Sequence, residues 1–178
     1  MSLGKLKFAA LASVLLALGG CGGGTPTGPQ IVCPPPLTVA DAGRLTRFKD
    51  GAGRDPRDIA YEAALLNTAS ACKVGNNVLD VTLVMIISVT AGPSVTAGQT
   101  SVPYFVRVID ASGRVVQGQD FTADFKLSAG NPRGESREEL SLRLPFTQVN
   151  DIGGYRIAVG LKPSPEELNY NRRAAGQP

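Results

Sequence analysis

Apolar and polar residues alternate along most of the chain from residue 57 onward. The longest alternating segment covers residues 79–90, in which every second residue from Leu79 to Val89 is apolar. Because successive side chains of a β-strand point to opposite faces, this period predicts strands with one packed face and one polar face. Five more segments alternate in the same way: 59–65, 104–108, 121–127, 140–144 and 155–161.

Turn-forming residues separate these segments. Asp110–Gly113 predicts a type I turn with Gly113 in the left-handed region, which would join two strands as a hairpin. Pairs of glycine, asparagine and proline mark the other connections. Six or seven strands joined by such turns predict an all-β fold, a single antiparallel β-sandwich of the immunoglobulin or fibronectin kind over residues 33–173.

Two segments do not alternate. Residues 41–56 are rich in glycine and basic residues, and we expect an irregular excursion there with one short strand at Leu45–Phe48. Near the C-terminus, Ser164 stands three residues before Glu167, and a proline follows the serine directly. This capping signature predicts a short helix that runs to about Arg173.

The first 20 residues have the features of a secretory signal. Lys5 and Lys7 precede an apolar run, Phe8–Leu18, which is too short to span a bilayer because spanning takes about 20 residues. The residues that follow, Leu18-Gly19-Gly20-Cys21, resemble the lipobox of bacterial lipoproteins. That resemblance implies removal of residues 1–20 and acylation of Cys21. The alternative is an ordinary signal peptide with a coincidental cysteine.

Residues 21–32 are interpreted as the lipidated cysteine and a flexible tether, because glycine and proline dominate there and bury little apolar surface. Gly22 stands where enteric lipoproteins kept in the inner membrane often carry aspartate. The resemblance therefore implies a lipid anchor in the outer membrane, on its periplasmic face, although it leaves the inner membrane open. Residues 174–178 are expected to form a disordered tail.

The other two cysteines are expected to pair. If Cys21 carries lipid, Cys33 and Cys72 remain as an even number in an oxidising compartment, which favours a disulfide between them. Such a bond would staple the start of the domain to the end of an early strand. Two buried free thiols are the alternative.

Composition excludes several kinds of chemistry. Without Lys5 and Lys7, the 18 basic residues fall to 16 against 15 acidic residues, a net charge of +1, so we expect no nucleic-acid partner. The chain has no histidine, which excludes a Ser-His-Asp triad and an HExxH zinc site. The adjacent acids Glu138 and Glu139 would point apart on a strand. We therefore expect no enzyme activity, catalytic residue, metal site or cofactor.

Two surfaces are candidates for a protein partner. Val84 and Ile86 fall on the outward face of the most apolar strand, where they would form an exposed apolar patch. The alternative is that the 41–56 excursion or the C-terminal helix covers them. Tyr170 and Arg172 form the second candidate surface, because tyrosine and arginine are enriched at interfaces. The alternative there is a helix that docks on its own domain.

The C-terminal half, from Tyr104-Phe105-Val106 to Asn171-Arg172, is similar to a group of small Gram-negative envelope lipoproteins, as are Cys33-Pro34 and Cys72. That group has no assigned activity, so the resemblance implies a class but no catalytic residues. We expect an outer-membrane-anchored periplasmic lipoprotein that acts as a non-catalytic binding or scaffold module. The alternatives are an accessory subunit of a secretion, pilus or transport complex and, less favoured, a hydrolase acting on the cell wall.

Overall fold

The computed structural model describes residues 31–51 and 53–176, and over this part of the chain it confirms an all-β sandwich with one short C-terminal helix. Eight strands are described: β1 Pro36–Thr38, β2 Arg44–Phe48, β3 Ile59–Val74, β4 Val78–Ala91, β5 Gly98–Ile109, β6 Val115–Leu127, β7 Arg133–Pro145 and β8 Arg156–Leu161. The helix α1 covers Pro165–Ala174, and three short 3-10 helices cover Ala40–Ala42, Pro56–Asp58 and Val149–Gly154.

The strands form two sheets of four. The first sheet has the order β1-β8-β5-β6, and the second sheet has the order β2-β3-β4-β7. Neighbouring strands run antiparallel except β1 and β8, which are parallel. The predicted hairpin joins β5 to β6, with Gly113 at a φ of +80°. Each sheet therefore has two edges, β1 and β6 in the first sheet and β2 and β7 in the second.

The core lies between the two sheets and is built from the alternation that the sequence predicts. On β4, the inward side chains are at most 1% exposed, because the first sheet covers them completely. This row consists of Leu79, Val81, Leu83, Met85, Ile87 and Val89, and it faces Val102, Tyr104, Val106 and Val108 of β5.

The strand predicted at 59–65 is longer than its pattern. A β-bulge at Leu66 shifts the phase, and β3 then continues to Val74. Leu66 itself is 57% exposed. Beyond the bulge the inward positions carry small or polar residues such as Cys72, which pairs with the buried Val81. Cys72 bonds to Cys33 with a Cα–Cα distance of 5.8 Å, which confirms the predicted disulfide.

The capping signature predicted the C-terminal helix correctly. The Ser164 hydroxyl accepts a hydrogen bond from the Glu167 N–H at 3.2 Å, and the Glu167 carboxylate accepts one from the Ser164 N–H at 2.7 Å. Glu167 is buried where α1 packs on β2, and Arg47 of β2 offsets its charge at 3.2 Å. The helix is thus attached to the excursion at residues 41–56, which contains the predicted short strand.

The strand β1 and the three 3-10 helices lie outside the predicted pattern. The strand β1 is three residues long, too short for any period to show. The 3-10 helix Val149–Gly154, where the sequence predicts only a turn, inserts the buried Ile152 into the core. Among the described residues, no helix combines the length and apolar character needed to cross a membrane.

Candidate functional site

The candidate site is the face of the second sheet that points away from the first sheet, called the outer face below. Its centre is the outward row of β4, which contains both predicted partner residues. Val84 lies between Ala69 of β3 and Glu139 of β7, and Ile86 lies between Asn67 of β3 and Arg137 of β7. These cross-strand neighbours decide how much of each apolar side chain remains accessible.

Val84 and Ile86 are half-buried, in contrast to the fully buried inward row of the same strand. On the β3 side, Val84 faces Ala69, whose short side chain reaches little above the sheet, and Ile86 faces Asn67. The helix α1 packs mainly on β2 and the first 3-10 helix instead of over this pair. The outer face therefore has an apolar floor of Ala69, Val84 and Ile86, in which Ala69 is exposed and the other two are partly accessible to solvent.

A row of charged side chains on β7 forms one wall of this floor. Arg137 and Glu139 pair with each other at 2.7 Å, and both are exposed. Arg143 pairs with Asp80 of β4 at 3.3 Å, farther along the same face. The apolar floor is thus bordered by both signs of charge.

The helix α1 bounds a separate groove next to this floor. The groove, of about 610 Å³, separates the helix from the sheet, and Tyr170 and Asn171 line the groove on the helix side. Ser88 and Thr90 of β4 line it on the sheet side. Because Ser88 is two residues beyond Ile86 on the same face, the groove adjoins the apolar floor.

The second predicted surface is largely engaged within the domain. The Tyr170 ring packs edge-on against Phe48, with 4.9 Å between ring centroids. The Arg172 guanidinium pairs with Asp41, with its Nε 3.1 Å from a carboxylate oxygen. Asn171 between them accepts a hydrogen bond from the Thr46 hydroxyl at 2.7 Å. The helix therefore docks on its own domain, and Tyr170 contributes a groove wall beside the floor that contains Ile86.

The adjacent acids Glu138 and Glu139 point to opposite faces of β7, as a strand requires. Glu139 lies on the outer face, whereas Glu138 faces the interior and accepts a hydrogen bond from the Tyr104 hydroxyl at 2.9 Å. Burial, reinforced by the bond to Glu138, raises the pKa of Tyr104 above its usual value. No local pattern in the sequence signals this contact, because Tyr104 belongs to the opposite sheet.

The remaining predicted site residues are easily placed. Cys33 and Cys72 are bonded to each other, and Cys21 lies outside the described residues. In residues 31–51 and 53–176, no three carboxylates or cysteines gather where they could hold a metal ion. Asp55 and Asp58, which lie in the glycine-bearing loop, pair with Arg57 and Lys49 at 2.9 Å and 3.2 Å.

No protein-family model and no curated protein matches this sequence. The resemblance to envelope lipoproteins therefore stays a prediction that rests on the residues quoted for it.

Proposed function

We propose that this protein is an outer-membrane-anchored periplasmic lipoprotein whose sandwich is a non-catalytic module that docks another envelope protein on its outer face. The lipobox-like run that ends at Cys21 supports the anchor. The observation that carries the docking function is the half-buried apolar pair Val84 and Ile86 at the centre of the outer face. Apolar side chains that remain partly accessible and adjoin one another on a sheet face form the kind of patch that marks a partner site.

The surroundings of this pair match the anatomy of a protein interface. Such interfaces have an apolar centre, a polar rim and tyrosine or arginine near the contact. Here Arg137 and Glu139 border the apolar floor on one side, and Tyr170 lines the neighbouring groove that begins at Ser88. A fitting partner presents one or two apolar side chains flanked by an acid and a base.

The accessory-subunit alternative uses the same surface and differs only in whether the partner is permanent. The hydrolase alternative has weaker support, because glycosidases need two carboxyl groups that face each other across a cleft. Glu138 and Glu139 face opposite sides of β7.

The test is photo-crosslinking of the full chain in its own cells, with a photoreactive residue replacing Ile86. We expect one discrete crosslinked envelope protein, identified by mass spectrometry. The matched control replaces Val116, which is 50% exposed on β6 of the first sheet. The same products from both positions, or none from position 86, would contradict docking on the outer face.

A second arm of the experiment tests the anchor separately. With Cys21→Ser, the protein should leave the membrane fraction, and the crosslink from position 86 should weaken because the partner is no longer concentrated beside it. A Cys21→Ser chain that stays in the outer membrane would refute the lipid anchor, while the position-86 result would still decide docking.

A further inference from the structure

The four sheet edges differ in how they are protected. An unpaired edge exposes backbone N–H and C=O groups that can pair with another chain, so proteins usually shorten, cover or distort their edges. The strand β1 has only three residues. The strand β2 is covered by α1, and the Asn171 side-chain amide donates a hydrogen bond to the Arg44 carbonyl oxygen at 3.2 Å.

The edge strand β6 is distorted and capped. Its pairing with β5 shifts register near Ile109, which marks a bulge. The Arg107 guanidinium reaches across Gly118 from β5 and donates a hydrogen bond to the Gln119 carbonyl oxygen at 2.8 Å. It is held there by Asp120 at 2.6 Å. The backbone hydrogen-bonding groups along this edge are therefore not continuously available to another strand.

The edge strand β7 is neither short nor bulged. It carries charged side chains, and its last residue is capped by the Tyr155 hydroxyl, which donates a hydrogen bond to the Pro145 carbonyl oxygen at 2.7 Å. It is 13 residues long and pairs with β4 without any register shift. Within the described residues, no side chain caps a backbone carbonyl oxygen from Arg133 to Leu144. The first half of β7 also alternates in charge on the outer face, where all four of its charged residues are exposed: Arg133, Glu135, Arg137 and Glu139.

We propose that β7 pairs antiparallel with β7 of a second copy of this chain, about a two-fold axis at Ser136. In that register, residues whose numbers sum to 272 face each other. Arg133 then faces Glu139 of the second copy, and Glu135 faces Arg137 of the second copy. By symmetry, the charge pattern produces four opposite-charge pairs, each of which stabilises an antiparallel ladder.

The inward side chains are compatible with the same register. Ser136 faces itself, and Gly134, which has no side chain, faces Glu138 of the second copy. Glu138 already accepts hydrogen bonds from the Tyr104 and Ser136 hydroxyls of its own subunit, and the missing side chain of Gly134 leaves room for it in the proposed register. Moving the axis to Glu138 would set that acid against itself and Arg133 against Arg143, so the charges select the axis at Ser136.

Two of these four charges have no ion-pair partner within the described part of the subunit. Arg133 and Glu135 make no such pair there, whereas Arg137 and Glu139 pair along the strand. The proposed contact would give both a partner. The contact would also join the second sheet of each copy into one continuous sheet, with both outer faces on the same side. This geometry does not depend on what the outer faces bind.

The test uses two differently tagged full chains, produced in the same cells and solubilised in detergent, with recovery of the second tag as the readout. Wild-type copies should co-purify. In a Glu135→Arg dimer, the new arginine of each copy would face Arg137 of the other, which gives two pairs of like charge. In an Arg137→Glu dimer, the new glutamate of each copy would face Glu135 of the other, with the same result. Each variant should therefore bind itself about tenfold more weakly.

Complementation makes the test specific. A Glu135→Arg chain and an Arg137→Glu chain should co-purify with each other, because their charges are complementary in the proposed register. The double variant should also recover self-pairing. Arg143→Glu, on the same strand but outside the paired segment, is the matched control and should behave as wild type.

Thermal melting of each variant by circular dichroism checks that the fold is intact. Failure of the wild-type copies to co-purify would overturn the proposal. Self-pairing of both single variants at the wild-type level would overturn it as well, as would failure of the two to complement each other.

Discussion

The two faces of β4 carry similar apolar residues, but only the inward face is covered by the other sheet. On the inward face, Met85 and Ile87 are fully buried against the first sheet. On the outward face, Val84 and Ile86 have the same chemical character but are only half-buried between β3 and the charged row of β7. Alternation in the sequence separates the two pairs by face, but only the structure shows that a covering layer lies over Met85 and Ile87 and not over Val84 and Ile86.

This difference indicates what each face contributes. An inward side chain is stabilised by removal of its whole apolar surface from water and by close packing. An outward side chain loses only part of its hydration, so its contribution to folding is smaller. Apolar residues retained on the outward face are therefore better explained by a contact that forms outside the subunit.

The largest expected effect contrasts two adjacent isoleucines. Ile87→Ala should lower the free energy of unfolding by about 2–5 kcal/mol, because it leaves a cavity in the core. Ile86→Ala should lower it by about 1 kcal/mol or less, because no closed cavity forms on an open face. Urea unfolding of the full chain measures both values. Equal losses of free energy would show that Ile86 is packed as tightly as Ile87, which would contradict an accessible outer face.

Much of this contrast could be predicted from the sequence. Alternation correctly assigned the inward row from Leu79 to Val89, and the capping signature correctly placed the helix from Ser164 onward. Both are local signals, since a strand period or a helix cap is determined by residues that are neighbours in the chain. The disulfide between Cys33 and Cys72 followed from cysteine number and the expected compartment.

What could not be predicted depends on distant contacts. The bulge at Leu66 reverses the phase of β3, and only the pairing with β4 shows that Ala69 lies beside Val84. Likewise, the groove beside Tyr170 exists because Glu167 and Asn171 attach the helix to β2 through polar contacts. No periodicity in the chain encodes either arrangement.

A smaller effect concerns a polar group on the inward face of the first sheet. The pKa of Tyr104 is raised by burial and by its hydrogen bond to Glu138. The protonated Tyr104 hydroxyl therefore contributes fully to the free energy of unfolding below about pH 10, and this contribution is lost as pH rises above that value. Unfolding at pH 9 and pH 11 should therefore show a shallower loss of stability for Tyr104→Phe than for wild type.

Tyr61 provides a companion to that measurement. Burial raises the pKa of Tyr61 as well, so the Tyr61→Phe variant should also lose less stability than wild type between pH 9 and pH 11. An unchanged slope in both variants would mean that these hydroxyls are more hydrated than their buried positions indicate.

The most direct test of the account is Ile86→Asp in the full chain, followed by co-purification of its envelope partner and by thermal melting. This substitution is preferable to Val84→Asp, because Ile86 faces Arg137, whereas Val84 faces Glu139 and would meet a like charge. Val116→Asp is the matched control on the first sheet. We predict that Ile86→Asp loses the partner while it melts within a few degrees of wild type, and that Val116→Asp keeps the partner. Full retention of the partner by a folded Ile86→Asp chain would contradict docking on the outer face.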